Sequence, residues 1–289
     1  MFGFVKHDGA SAPALGVGTA TLSRRRILGY AAAGGVGLLA APMLGKAAFA
    51  SGPTFPDQFS RFVWIDGAFN TRDFGGYAVG TTKNVAIGRL YRSSSLVHVS
   101  DAGLPALTNL KLGIVSDFRS LAEVSSQGHD RLPAGVINLP TPIGDPTAAG
   151  AVLTGPPPPG GFTSPDPGTL AEFESYITAP EARISLGVAL NALAWAPIKP
   201  FMWHCNSGTY RTGWSTTVLL TLLGVARADV DADFLLSNPV FGVTYAFTEY
   251  LDAAFAKANS VYGSFDDYLH HGLAVPPATV NRLRQTLLV

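Results

Sequence analysis

Two stretches of this chain flank a loop that leaves little choice of local fold. Ile198 to Trp203 is short, apolar and bracketed by Pro197 and Pro200, the pattern of a buried strand. Thr212 to Leu223 is an unbroken helical stretch ended by Gly224. Between them stand His204-Cys205-Asn206-Ser207-Gly208-Thr209-Tyr210-Arg211. With a strand before and a helix after, the loop amides from Asn206 to Arg211 converge at a helix N-terminus. Four N–H groups there lack partners, and the helix dipole is positive. Such a place is an anion site with a tetrahedral fit for phosphate. Cys205 sits at its base, where the same field favours a thiolate, the nucleophilic form. Arg211 has a planar fork that holds two phosphate oxygens at once. Gly208 removes a side chain where the backbone bends close to the ligand. The Thr212 hydroxyl is placed to donate to the sulfur and help it leave, and His204 to order the loop by hydrogen bonds.

Cys205 is the only cysteine of the 289 residues, so a disulfide within the chain and a multi-cysteine zinc site are both excluded. Hydrophobic residues are 47% and charged residues 14%, which excludes disorder along the whole chain. Lys plus Arg and Asp plus Glu are 20 each, so the net charge is zero, and attachment to nucleic acid by a basic surface is not expected. The charge is uneven, however. Residues 1–50 carry Lys6, Arg24, Arg25, Arg26 and Lys46 against Asp8, leaving 15 basic and 19 acidic residues, a net charge of −4, for the remainder. Ser23-Arg24-Arg25-Arg26 opens an apolar, Gly/Ala-rich run from Ile27 to Leu44, and Ala48-Phe49-Ala50 follows. This resembles a twin-arginine export signal cut after Ala50. An exported protein, periplasmic, cell-surface or secreted, is the expectation, with no transmembrane helix in the mature chain.

His-Cys-x5-Arg-[Ser/Thr]-Gly resembles the signature of the cysteine-based protein tyrosine phosphatase superfamily. Other segments are similar to its bacterial exported branch of tyrosine and dual-specificity, phosphoinositide-active enzymes. They are Asn70-Thr71-Arg72-Asp73-Phe74-Gly75-Gly76-Tyr77, Leu90-Tyr91-Arg92-Ser93-Ser94-Ser95-Leu96 and Asp117-Phe118-Arg119-Ser120 with Glu123. Asp233-Phe234-Leu235-Leu236-Ser237-Asn238 and Tyr262-Gly263-Ser264-Phe265 are further landmarks, so the resemblance covers residues 61–289. It implies a metal-independent, cofactor-free phosphomonoesterase acting on a phosphorylated protein, peptide or lipid. Catalysis then falls to Cys205, Arg211 and Asp117, and substrate binding to Asn206, Ser207, Gly208, Thr209, Tyr210 and Thr212. That branch usually has Gly-Lys-Asp-Arg where this chain has Gly208-Thr209-Tyr210-Arg211. The missing lysine weakens the expectation of phosphoinositide preference, and Tyr210 is placed to stack on a substrate ring. The rival readings are a phosphoinositide or lipid phosphatase with the same chemistry and a weak phosphate-binding pseudophosphatase.

A leaving oxygen needs a proton. Asp117 ends the apolar run Ile114-Val115-Ser116, read as a buried strand, and so falls at the carboxyl edge of a parallel sheet where ligands bind. Its competing role is to pair with Arg119 or Arg211; Asp145 and Asp166 are the alternative acids. Asp73 and Arg119 are read as braces of the site, Arg92 as fixing a strand end, and His270-His271 as a solvated helix end. Asp229-x-Asp231-x-Asp233 lacks the glycine and glutamate of a calcium loop. Residues 51–60 read as a linker. Residues 140–168, with nine prolines and six glycines, read as a long loop, either a lid or a floppy insertion. Helices are expected at Ser100 to Lys111 with Ser100 as cap, Glu181 to Trp195, Asp229 to Ser237, Thr244 to Asn259, Ser264 to Gly272 and Pro277 to Leu288. The fold class is one α/β domain: a small, mostly parallel central sheet flanked by helices, with a helical C-terminal part.

Overall fold

The computed structural model describes residues 57–144, 150–154, 158–196 and 199–289. The export segment, Asp145 and the proposed cleavage point lie outside them. Five strands form the main sheet: β1 (Arg72–Asp73), β4 (Leu90–Ser93), β5 (Ile114–Asp117), β6 (Ile137–Pro140) and β7 (Phe201–His204). Between β1 and β4, β2 (Ala78–Val79) and β3 (Lys83–Asn84) pair as a separate ribbon. The order in the main sheet is β1-β4-β7-β5-β6, with only β1 antiparallel. All four residues of β7 are buried, as a central strand requires. Its side chains alternate between two cores. Phe201 and Trp203 enter the larger one and Met202 the smaller one, the two-residue period of a pleated strand.

Helices cover both faces. They are α1 (Leu104–Asn109), α2 (Leu121–Gln127), α3 (Pro167–Thr178), α4 (Pro180–Trp195), α5 (Tyr210–Leu223), α6 (Arg227–Leu235), α7 (Ser237–Phe241), α8 (Thr248–Tyr262), α9 (Phe265–Asp267), which runs on into a wider turn over Tyr268–Gly272, and α10 (Pro277–Leu287). The larger core gathers Phe173 of α3, Leu190 of α4, Leu219 of α5, Tyr250 of α8 and Leu283 of α10. The smaller core holds Leu107 of α1 with Val115 and Met202. Trp203 lies stacked on Phe74 at 5.4 Å, and its indole N–H donates to Thr216 Oγ1 at 3.1 Å, so its one polar atom is satisfied. No helix among the described residues is long and apolar enough to cross a membrane.

Several expected boundaries move. Ser100 does not cap α1; its hydroxyl accepts from the Ala102 and Gly103 amides in a preceding turn. The helix starts at Leu104, because Pro105 is tolerated only in a first turn. Lys111 at φ +53° lies past its end. The 51–60 linker gives way at Gln58–Arg61 to a short 3₁₀ turn capped by Asp57. Predicted starts at Asp229 and Thr244 become Arg227 and Thr248, and Ser237 opens a helix of its own. Strand β6 and helix α3 were not expected. Asp166 caps α3, and Pro167 opens it within the Pro/Gly-rich stretch.

The described parts of that stretch pack against the rest of the fold. Ile143 and Ala151 are buried, Thr154 N donates to Glu172 of α3 at 2.8 Å, and Phe162 N donates to Thr244 O at 2.7 Å.

In register, Ser93, His204, Asp117 and Pro140 end the four parallel strands in one row. The loop after β7 leaves this edge. Gly208 within it has φ +73°, and a Cβ there would stand 2.3 Å from the Ser93 carbonyl oxygen. Glycine is therefore demanded here by the close approach to β4. Gly208→Ala should lose about 2–4 kcal/mol, the sum of left-handed strain and overpacking. Urea unfolding measures it, with Gly242→Ala, also at positive φ but with nothing within 4 Å, as the control for strain alone.

Candidate active site

Cys205 leaves β7 with 2% of its surface exposed and no disulfide partner. The loop behind it closes onto the N-terminus of α5, where the cap residue Thr209 makes no side-chain capping bond. A buried helix start without a side-chain cap holds its amides ready for an anion. Arg211 lies in the first turn of that helix. Its Nη1 donates to Glu123 Oε2 at 2.6 Å, to Phe118 O at 3.1 Å and to Ile143 O at 3.3 Å, and its Nη2 to Glu123 Oε1 at 2.9 Å. The Nε–H and one Nη2–H have no partner among the described residues and form the edge that a phosphate would take. Burial opposes the Arg211 charge, but Glu123 and Cys205 more than compensate and hold it firmly protonated.

Glu123 is a site residue that the sequence reading quoted only as a landmark. Ser120 and Glu123 form a capping box at the start of α2: Ser120 N donates to Oε2 at 2.7 Å and Glu123 N to Ser120 Oγ at 3.2 Å. The box aims the carboxylate at Arg211, and the Asn206 side-chain Nδ2 donates to it as well. The Ser-x-x-Glu spacing was the available signal; its second use needed the tertiary contact.

A buried cluster holds the loop from below. Asp233 of α6 receives Arg92 Nη1 at 2.5 Å and Arg72 Nε at 3.4 Å. Burial alone would raise the Asp233 carboxyl, but Arg72 and Arg92 hold it below its ordinary value. Arg92 Nη2 donates onward to the Gly208 carbonyl at 2.8 Å, so Arg92 braces the catalytic loop and does more than fix a strand end. Burial and the neighbouring Arg72 bring Arg92 down to about 10, and it stays a cation at neutral pH. Asn70, at φ +57°, donates to Ser207 O at 3.1 Å and to Ser237 Oγ at 3.0 Å.

Not every predicted substrate contact faces a ligand. Tyr210 is buried against Phe173, Tyr245 and Tyr250, and its hydroxyl donates to Tyr245 O at 3.0 Å. Stacking on a substrate ring is therefore corrected to core packing. Thr209 is wholly buried, its hydroxyl 3.3 Å from that of Tyr245. Both residues turn their side chains away, and the Thr209 amide donates to Ser207 Oγ at 3.3 Å. Thr212 Oγ1 is buried without a hydrogen-bond partner, and no bond joins it to the sulfur.

Asp117 accepts the Arg119 fork, Nε to Oδ1 at 3.0 Å and Nη2 to Oδ2 at 2.7 Å. It stands beside His204 in register, one residue from Cys205. Asp166 is engaged as the cap of α3. His204 Nδ1 lies 3.0 Å from the Cys205 carbonyl oxygen and Nε2 2.7 Å from Asp130 Oδ2. Asp117, Asp130 and His204 bring three ligand atoms within 4.8 Å of one another, but Arg119 Nη2 bridges the two carboxylates and is the cation of that cluster. His270 donates to Val275 O at 2.7 Å, and His271 is exposed.

Asp73 braces a different place than expected. Its carboxylate accepts the Gly75 and Gly88 amides and shapes the turns around β2 and β3. Burial raises it to about 6, against the pull of the two amides and of Arg61. Folding therefore takes up a proton at Asp73. The stabilisation is complete below the unfolded value near 3.8 and fades as pH rises through 6. Relative to Asp73→Asn, the wild type should lose about 2–3 kcal/mol between pH 4 and pH 7, read from urea unfolding at each pH.

The model of the Tyrosine phosphatase family matches residues 63–289. The triple specificity protein phosphatase PtpB of Mycobacterium tuberculosis is 28% identical over 277 residues, 78% of this chain and 98% of that protein. A relative from Cupriavidus necator that carries a tyrosine-protein phosphatase name is 30% identical over 238 residues, 74% of this chain and 85% of that one. Among solved structures, P. aeruginosa TpbA aligns over 65% of this chain and 87% of its own with 18% identity and a TM-score of 0.32. With its family model spanning the whole sheet and the Cys205 loop, the chain belongs to the tyrosine phosphatase family.

Proposed function

We propose that this phosphatase hydrolyses phosphomonoesters, phosphotyrosine in protein above all, through a phospho-cysteine intermediate on Cys205. The observation that carries the reading is the side-chain-uncapped, buried start of α5, with Cys205 at its base and the Arg211 fork pre-aligned by Glu123. The Cys205 sulfur attacks phosphorus, and the bond to the leaving oxygen breaks. Arg211 and the amides from Asn206 to Arg211 take up the charge on the transferring phosphoryl oxygens. Asp117 gives the leaving oxygen its proton. Arg119 keeps Asp130 and the Gly128 carbonyl as partners when Asp117 is protonated. Water then attacks phosphorus, the S–P bond breaks, and inorganic phosphate leaves. The unpartnered Thr212 hydroxyl is free to donate to the departing sulfur. One relative's name states triple specificity, whereas the loop of this chain has Thr209 and Tyr210 turned inward, with no lysine between Gly208 and Arg211. That composition favours a substrate with one phosphate over an inositol ring bearing several. The arginine-led N-terminus supports export before the enzyme meets its substrate.

Phosphate release by residues 51–289, with chelator present, tests the reading. Aryl phosphate, phosphotyrosine and phosphoserine peptides and a phosphoinositide are the substrates. Turnover should vanish in Cys205→Ser, by at least about 10⁴-fold, and rank phosphotyrosine first. Binding of vanadate with no turnover of any substrate would instead mark a phosphate-binding module.

Asp117→Asn separates the acid from the brace. As the acid, it should slow a phenyl phosphate roughly 10²–10³-fold and a nitrophenyl-type ester with a good leaving group far less. Equal losses on both would assign Asp117 to Arg119 alone.

A further inference from the structure

β1 runs against the other strands of the main sheet, so its start lies at the edge where the parallel strands end. Arg72 pairs with Arg92 and Asp73 with Tyr91. Continued backwards, this register puts Asn70 and Phe69 level with Ser94 and Ser95, just past that edge. The bonds agree. Phe69 N donates to Ser94 Oγ at 2.8 Å, and Ser94 N donates to Phe69 O at 2.9 Å. Ser95 N donates to Asn206 O at 2.9 Å, and Asn70 Nδ2 to Ser207 O at 3.1 Å. Phe69 is therefore fixed on both sides of its backbone, next to the residues that hold Asn206 and Ser207. Those two are the part of the Cys205 loop that keeps some exposure to solvent.

The chain before Phe69 is a hairpin. Phe62 bridges Arg72, Val63 N donates to Thr71 O at 3.0 Å, and Ile65 bridges Ala68. Trp64 thus falls opposite Phe69 and Asn70. Val63 and Ile65 pack on the smaller core. By the two-residue period of a strand, Trp64 points to the other face. That face carries Phe62, whose ring lies 5.6 Å from the Arg72 guanidinium, and Arg72 leads back to Asn70 and the loop. Trp64 is 75% exposed and Phe69 48%.

From Phe62 to Asn70 the only charged side chain is Asp66, which accepts Ser100 Oγ at 2.6 Å. Such a surface offers apolar contact area and no cation, so it suits an apolar side chain and not a second phosphate. Its place also fits. β1 stands two strands from β7, about 10 Å, which an extended peptide covers in about three residues.

We propose that Trp64 and Phe69 form an aromatic platform beside the Cys205 loop, and that it takes an apolar side chain within about three residues of the phosphorylated residue of a peptide substrate. The proposal rests on the phosphotyrosine reading and adds a sequence preference to it. kcat and KM are measured for phosphotyrosine peptides with leucine, or with serine, at the flanking positions, and for phenyl phosphate, which is too small to reach the platform. Wild type should favour the leucine peptide about tenfold, mainly through KM. Trp64→Ala and Phe69→Ala should each lose most of that preference and keep kcat/KM on phenyl phosphate within about twofold. Trp195→Ala is the control. Trp195 is 63% exposed but ends α4 ahead of β7, at the opposite edge of the sheet, and its loss should leave the preference intact.

Equal values for the two peptides in the wild type overturn the proposal, and so does a preference that survives in both variants. Equal losses on peptides and phenyl phosphate would make the two rings props of the loop and also overturn it. A dimer that Trp64→Ala dissociates, with no peptide preference, would give the surface to a second copy of the chain and overturn it as well. If the wild type turns over no peptide, the phosphotyrosine reading fails and the Kd of the same two phosphopeptides decides. Binding of the leucine peptide about tenfold more tightly, lost in Trp64→Ala, keeps the platform; no difference, or no binding, removes it.

Discussion

The carboxylate of Asp233 enters the interior from α6 and meets Arg72 of β1 and Arg92 of β4. Two buried guanidinium groups without a counter-ion would not be tolerated at this place, and one carboxylate serves both. Arg92 then reaches the Gly208 carbonyl, and Arg72 reaches Asn70, whose side chain holds the Ser207 carbonyl and Ser237. The Cys205 loop is thereby suspended from the sheet by bonds to its carbonyls, a charge-assisted one from Arg92 and a neutral one from Asn70. Gly213 completes the arrangement, since a Cβ there would stand 2.6 Å from the Phe234 ring on the helix that carries Asp233.

Opposite this brace, the reacting side of the loop is arranged by two acidic contacts of different kinds. Glu123 holds Arg211 by its fork and fixes the guanidinium in place. Asp130 and Asp117 share Arg119 and hold His204 behind the sulfur. These carboxylates are not left unpaired: Glu123 meets Arg211, and Asp117 and Asp130 share Arg119.

What was legible in the chain followed from local rules. The proline-bracketed apolar run and the Gly-terminated helix placed β7 and α5 correctly, because their neighbours obey one periodicity each. Ser100 misled because a serine before an apolar helix is a good cap only when the next residues can be helical. Gly103 and Pro105 delay the start. The Pro/Gly count of residues 140–168 hid the start of α3, although Asp166-Pro167 is itself a start signal. Strand β6 was missed because an exposed edge strand with one intermediate residue has no apolar alternation to read. Tyr210 was misplaced for a simpler reason: loop membership does not say which way a side chain points.

By itself the sequence determined the local frame of the candidate site: one thiol, one arginine six positions on, a glycine-bearing loop between a strand and a helix, and an aspartate at a strand end. Spacing along the chain decides these, because turn geometry and helix start act over a few residues. Only the tertiary structure decided which charges meet. Glu123 with Arg211, Asp233 with Arg92 and Asp130 with His204 are separated by 88, 141 and 74 residues. Their pairing follows from the order of the strands and from the exclusion of unpaired charge from a packed interior, neither of which is written in a local pattern.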